Sequence, residues 1–456
     1  MRALPLLALV AACFNPNLGD TPFKCGASPE VCPPGYTCRT SDDVCVLKGS
    51  SGGPDSPTGC TPNTATCSGD LLSGCDGSGQ AFQTTCVAGC DGTVSPSACY
   101  VLAPQNLPSG ACTRGTEKSK TLSKTLDTTD CVASGGVVAP QAGGSAIDLC
   151  VFKGIDLTVA AGTTLTISGS RPAVLIATGK LEIDGTIDVA GRGDSGGPGA
   201  SALRTLGKGA SAGSNVIAGG GGAGHLTDGG AGGASPDLHS GGAAYGNDAI
   251  SPVLPGAYGG AGGTPCIAPV CNGRSSGGGG GGGLELVGCN QLVIGAGAII
   301  DASGGGGDGG QPQGEGLAPG GGDGGGSGGS VLLEAPVITV PVGASIVANG
   351  GGGGSGALLN NAGEAGSDGL VGTKAAPGGK TSTQLGGAGG NGGTGTSVDR
   401  APTDGATLPV TTSAAGAGGG GGAAGKIRIN TRSDKPPALN GLISPATSTG
   451  AIDRAH

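Results

Sequence analysis

Three sets of residues in this chain have the types and spacing for chemistry. The first is sulfur, with 17 cysteines in 456 residues. The second is carboxylate. Asp188 and Asp301 fall at the same point of an internal repeat, so stacking would set them side by side. Such a pair could do glycosidase-type work. The third is Ser195 inside Gly193–Pro198 (GDSGGP), where a serine flanked by glycines could act as a nucleophile. That role needs a histidine base beside it, and the histidines are His225, His239 and His456.

The serine reading is the weakest. GDSGGP matches the nucleophile motif of trypsin-like serine proteases, in which the histidine precedes the serine. Here all three histidines follow it, and the motif lies inside a glycine-rich stretch, so it reads as a compositional accident. The carboxylate reading lacks the aromatic platforms that sugar sites use, since aromatics are 2% and tryptophan is absent. Asp308 and Asp323 lack the apolar position of calcium-binding nonapeptides. His225 and His239 are too far apart in a loop to read as metal ligands. The glycine runs lack a GK[ST] ending after a strand, so no Walker-type loop is expected. Lys118, Lys120 and Lys124 read as a solvated basic face. A net charge of −9 argues against nucleic acid. The expectation is a protein that is not an enzyme, with no cofactor, no metal and no nucleic-acid partner.

The elements that must position these residues come from a repeat. Ala173–Gly191 (AVLIATGKLEIDGTIDVAG) holds three short apolar runs separated by turn residues. The opening run, Val174–Ala177, returns as Leu284–Val287 and Val331–Glu334. The middle run, Leu181–Ile183, returns as Leu292–Ile294 and Val337–Val340. The closing run, Ile187–Gly191, returns as Ile300–Gly304 and Ile346–Gly350. Ile427–Asn430 begins a fourth copy, and Leu439–Ile443 is a frayed continuation. Ile155–Val159 and Thr164–Ile167 alternate with period two, so they also read as strands. Three strands in about twenty residues is the size of one coil of a parallel β-helix. The expected fold is therefore all-β, a single-stranded parallel β-helix, with a β-sandwich as the alternative. Helix should be scarce.

Glycine supplies 106 residues, several times the usual ~7%. Most of it falls in three inserts, at about 192–282, 305–329 and 351–425. Each leaves after a closing strand and returns before an opening strand, so all three should emerge from one corner. Ordering polyglycine costs backbone entropy. The inserts therefore read either as loose loops or as packed extended helices of the polyproline type. In the packed form they resemble the polyglycine-helix bundles of some phage adhesins and antifreeze proteins.

The cysteines map onto small modules. Cys25, Cys32, Cys38 and Cys45 frame a segment at 25–47, too short to fold without staples. Its spacing lacks the CxxC of a zinc site. A linker at 48–59 leads to a second module at 60–100 with Cys60, Cys67, Cys75, Cys86, Cys90 and Cys99. Cys86 and Cys90 are too widely spaced for a redox motif. A second linker at 101–111 precedes the β-helix-like domain at 112–456. There Cys112, Cys131, Cys150, Cys266, Cys271 and Cys289 are disulfide candidates, with Cys266–Cys271 expected as a local loop staple.

The start of the chain reads as an export signal. Arg2 is followed by the apolar run Ala3–Ala12, too short for a stable membrane span. The end of that run, Val10-Ala11-Ala12-Cys13, resembles the lipobox of bacterial lipoproteins. That resemblance implies removal of residues 1–12, lipidation of Cys13 and a tether at 13–24. Setting Cys13 aside leaves 16 cysteines, an even number that can pair fully.

Cys13–Cys25 (CFNPNLGDTPFKC), Ser170–Gly191 (SRPAVLIATGKLEIDGTIDVAG) and Gly418–Asn430 (GGGGGAAGKIRIN) resemble surface lipoproteins of predatory or gliding bacteria such as myxobacteria. The resemblance spans most of the chain and implies a location at the outer membrane or cell surface. Secretion is the alternative. The function expected is structural or adhesive, with a glycine-rich face on a β-helix scaffold and an extracellular polysaccharide or surface protein as partner. A carbohydrate-active β-helix enzyme or a carbohydrate-binding module is the alternative.

Overall fold

The computed structural model describes residues 32, 36–39, 44–47, 60–108, 110–142, 144, 147–203, 205–213, 216–233, 239–264, 276–312, 318–381, 387, 390, 401–408 and 415–455. Cys13, Cys25, Cys266, Cys271 and His456 lie outside the described residues, and with them the signal, the lipidation site and the 266–271 staple. The chain is all-β. Among the described residues the only helix is a single 3-10 turn at Ala200–Leu203. The chain divides into two compact units, Met1–Thr84 with Gly92–Ser97, and Thr85–Asp91 with Ala98–His456.

The first unit contains a hairpin of Tyr36–Arg39 and Val44–Leu47, in which Cys38 stands opposite Cys45. It also contains the antiparallel pair Thr64–Ser68 and Leu71–Cys75. Disulfides Cys32–Cys45 and Cys60–Cys75 hold it, which suits segments with almost no apolar core of their own.

In the second unit, strands of one repeat pair in parallel with the corresponding strands of the next. The opening strands lie in a seven-stranded sheet in the order Val137–Ala139, Leu149–Gly154, Ala173–Ala177, Gly283–Gly288, Ser330–Glu334, Lys426–Thr431 and Ser448–Ala451, parallel throughout except for the first, which is antiparallel to its neighbour. The closing strands form a six-stranded sheet: Leu126–Asp127, Thr164–Ser168, Thr186–Asp188, Ile299–Asp301, Ser345–Val347 and Leu442–Ser444. The middle strands Lys120–Thr121, Leu157–Val159, Lys180–Ile183 and Gln291–Ile294 form a four-stranded sheet. Thr339–Val340 pairs separately with Ala438–Leu439.

Period-two side chains explain the stacking. Leu165, Ile187, Ile300, Ile346 and Ile443 occupy one rung position on successive closing strands. Phe152, Leu175, Leu286, Leu333 and Ile429 do the same on the opening strands. These ladders meet in one continuous core. Each fully buried Leu or Ile adds about 1.5–3 kcal/mol of transfer free energy.

The register of the first opening pair differs by one residue from the match between repeats, while Leu284 stands opposite Val331 and Val331 opposite Ile427, as the repeat implies. Ala173 rather than Val174 stands opposite Leu284. All five residues of Ala173–Ala177 are buried, so both faces are apolar and alternation cannot set the register. The outer face is covered by a second apolar cluster, in which Leu102, Leu107, Ile250 and Val253 pack on Val174, Ile176, Val287 and Leu332. Of the residues at 101–111, expected to be a linker, 101–108 and 110–111 are described, and they include part of the fold. Val101–Ala103 pairs antiparallel with Asp453–Ala455, and Leu102 and Leu107 are buried. Thr85–Asp91 and Ala98–Tyr100, expected in the second cysteine-rich module, also group with this unit.

Candidate functional sites: the insert corner and the glycine bundle

All three inserts connect a strand of the six-stranded sheet to the next strand of the seven-stranded sheet. At the corner where the first one leaves, Asp188 and Asp301 are rung neighbours. Arg192 spans both, with Nη2 at 3.3 Å from Asp188 Oδ1 and 2.9 Å from Asp301 Oδ2. Asp188 also accepts the Ala190 N–H at 3.0 Å, and Asp301 the Ser303 N–H at 2.9 Å. Burial works against the Arg192 charge, but Asp301, Asp188 and Asp368 more than offset it and hold its pKa above the ordinary value. Asp368, on the third insert, accepts N–H groups of Gly193 at 2.9 Å and Gly306 at 2.8 Å. One carboxylate thus joins all three inserts. The Asp188–Asp301 pair expected from the repeat is present, as the two ends of an ionic clamp.

Ser195 belongs to this corner as well. Its backbone exchanges hydrogen bonds with Arg192, and its hydroxyl lies 3.4 Å from Asp194 Oδ1. Among the described residues no hydrogen bond joins a histidine to it. His225 is buried elsewhere, with Nδ1 2.6 Å from the Gly328 oxygen and Nε2 3.4 Å from Ser330 Oγ. Its ring stacks on Tyr245 at 4.4 Å. Burial lowers the His225 pKa to about 4 and raises that of Tyr245. The neutral ring therefore fastens the first insert to the end of the second insert and the start of strand Ser330–Glu334. His239 pairs through its backbone with Gly232.

The described parts of the inserts hydrogen-bond to one another in a three-fold pattern. Gly219 and Gly222 donate their N–H groups to Gly233 and Gly230. Gly220 and Ala223 donate to Gly322 and Gly325, and Gly221 and Gly224 to Ala210 and Gly207. Every third amide thus points at the same neighbour, as three residues per turn of a polyproline-type helix requires. The contacts cross between inserts: Gly220 to Gly322, Gly325 to Gly420, and Gly420 back to Gly220. Glycine is required here by close approach. A Cβ on Gly222 would collide with the carbonyl of Gly421, and one on Gly326 with that of Gly279.

These amides are consumed inside the bundle, and 218–224, 319–335 and 415–425 are buried throughout. Exposed apolar side chains in the described parts of the inserts are Leu206 on the first and Leu359, Leu370 and Val371 on the third, which form the bundle's apolar rim. Aspartates accept further backbone amides within the inserts, a role that no local pattern signals. Asp323 accepts the Gly262 N–H at 2.8 Å, Asp404 that of Ala231 at 2.7 Å, and Asp228 that of Ala244 at 2.7 Å.

Disulfides Cys86–Cys99, Cys112–Cys289 and Cys131–Cys150 secure the second unit, and Cys67 and Cys90 are also disulfide-bonded. These bonds mark the chain as an exported or extracellular protein. Among the described residues no helix is long and apolar enough to cross a membrane, and no three His, Cys, Asp or Glu side chains converge on a metal position. No known protein family, curated protein or solved structure matches this chain.

Proposed function

We propose that this is a lipid-anchored cell-surface protein with a structural or adhesive role, in which a parallel β-helix carries a polyglycine bundle outward. The observation that carries the reading is the three-fold hydrogen bonding among the inserts. It makes a rigid body from residues with almost no side chains, and such a body suits presentation better than turnover of a substrate. Parallel ladders repeating through the same sheets favour a β-helix over a sandwich, whose strands pair antiparallel. The disulfides agree with export, and Cys13 at the end of the apolar run agrees with lipidation. The adhesive contact falls on the bundle rim, where Leu359, Leu370 and Val371 stand exposed. Its partner is an extracellular polysaccharide or a surface protein.

The carbohydrate-active alternative gains no support from the insert corner, because Arg192 occupies both carboxylates of the Asp188–Asp301 pair. Two measurements test the proposal. Protease shaving of intact cells should remove the protein, and a lipoprotein-processing inhibitor should stop its maturation. Unchanged processing with a purely soluble product would refute the anchor. Leu370→Asp with Val371→Asp should abolish attachment of protein-coated beads to a native surface without changing the melting temperature. Undiminished attachment would refute the rim as the adhesive face.

A further inference from the structure

We infer that a cavity on the outer face of the seven-stranded sheet binds an amphipathic carboxylate, with an apolar body inside and its anionic end at a lysine pair. The cavity measures about 460 Å³, within the range of small-molecule sites (~300–1,000 Å³). Its floor is Val151 and Ile176, from neighbouring strands of the sheet. Leu107 and Ala111 wall one side and Val137 the other.

The mouth supplies the polar end. Lys153 Nζ lies 3.2 Å from Glu117 Oε1 and 2.8 Å from the Thr113 carbonyl. Lys120 Nζ lies 3.4 Å from the Lys153 carbonyl. The lining thus carries two ammonium groups and one carboxylate, a local positive excess on a chain whose net charge is −9. Lysines without an arginine fork suit a single carboxylate better than bidentate recognition of phosphate.

Two further observations point to an occupant. Val137 is 67% exposed although it belongs to a strand, so an apolar guest would cover a side chain that the protein leaves bare. The Cys112–Cys289 disulfide fixes the wall that carries Ala111, so the cavity is preformed and binding costs little ordering. This site is separate from the insert corner and the glycine bundle, and it stands whether or not the protein is adhesive.

The test is equilibrium titration of the full-length oxidised protein with the fluorescent carboxylate 11-(dansylamino)undecanoic acid, followed by competition with decanoate and decanol. Saturable binding at one site is expected, with decanoate competing about tenfold or more better than decanol. Ala111→Phe, which fills the cavity, should abolish binding at an unchanged circular dichroism spectrum and melting temperature. Lys153→Met should retain the probe weakly and lose the preference for acid over alcohol. Absence of saturable binding to the wild type would overturn the proposal, as would binding that survives Ala111→Phe in a folded variant.

Discussion

Asp188 and Asp301 stand on adjacent parallel strands as direct rung partners, and one guanidinium, that of Arg192, bonds to both. The Asp301 side chain is only 4% exposed, and its bonding partners are that guanidinium and the Ser303 N–H. Arg192→Met should therefore destabilise the second unit. Because the Arg192 side chain is itself 45% exposed, solvent screening limits the loss to about 1–2 kcal/mol. Asp301→Asn added to Arg192→Met should recover most of it, since the like-charged pair is then removed. Urea denaturation of both variants measures this. Full stability of Arg192→Met alone would mean that the clamp contributes nothing.

A second carboxyl pair behaves in the opposite way. Glu285 and Glu334 lie buried on neighbouring strands of the seven-stranded sheet, under residues 105–106. Glu334 accepts the Gln105 N–H and the Asn430 side-chain amide, each at 3.0 Å. Burial raises both pKa values, Glu285 more strongly because Glu334 adds to the effect. A proton on Glu285 directed to Glu334 accommodates the pair. A carboxyl whose folded pKa lies above its unfolded value gives stability that is complete below the ordinary value, about 4.3, and is lost as pH rises through the folded pKa. Glu285→Gln should then stabilise the protein at pH 8 by about 1–2 kcal/mol and converge with the wild type near pH 4. A gain independent of pH would contradict the shared proton.

Close approach in the bundle makes glycine substitutions unequal. Gly222→Val should destabilise the protein by about 3 kcal/mol or more, because its Cβ would meet a backbone oxygen that cannot move aside. Gly297→Ala, with no atom within 4 Å of the added Cβ, should change stability by about 0.5 kcal/mol or less. Equal melting temperatures for the two would argue against a packed bundle.

The Cys112–Cys289 bridge joins residues 177 apart in sequence. By the loop-entropy relation its removal as a Cys112→Ser, Cys289→Ser pair should cost about 5 kcal/mol. Removing Cys131–Cys150, separated by 19 residues, should cost about 3 kcal/mol. Guanidinium denaturation of the two double variants gives the comparison. The reverse order would show that native-state packing, and not chain closure, sets the effect.

The closing strands were legible because Ile187, Ile300 and Ile346 alternate with residues that are less consistently apolar. The opening strands were legible as apolar runs, but the register of the first pair was not, since Ala173–Ala177 is buried and apolar on both faces. Its outer cover comes from Leu102 and Leu107, about seventy residues upstream, in a segment that reads locally as a linker. The Asp188–Asp301 juxtaposition followed from the repeat, but the role of Arg192 did not, because nothing local distinguishes a clamp from a solvated side chain. The bundle was half legible. Composition showed that glycine could pack closely, but the period of three lies in the direction of backbone amides and leaves little trace in a run of identical residues. Asp368 and Asp323 were invisible for a related reason: each serves backbone groups from a different insert.

Hydrogen–deuterium exchange of the glycine-rich segments tests the central claim most directly. Peptides covering 218–224, 319–329 and 415–425 should show amides protected for hours, with protection comparable to Ala173–Ala177 and Gly283–Gly288. Exchange of those three segments within seconds, while the sheets stay protected, would contradict the bundle and leave the inserts as loose loops on a β scaffold.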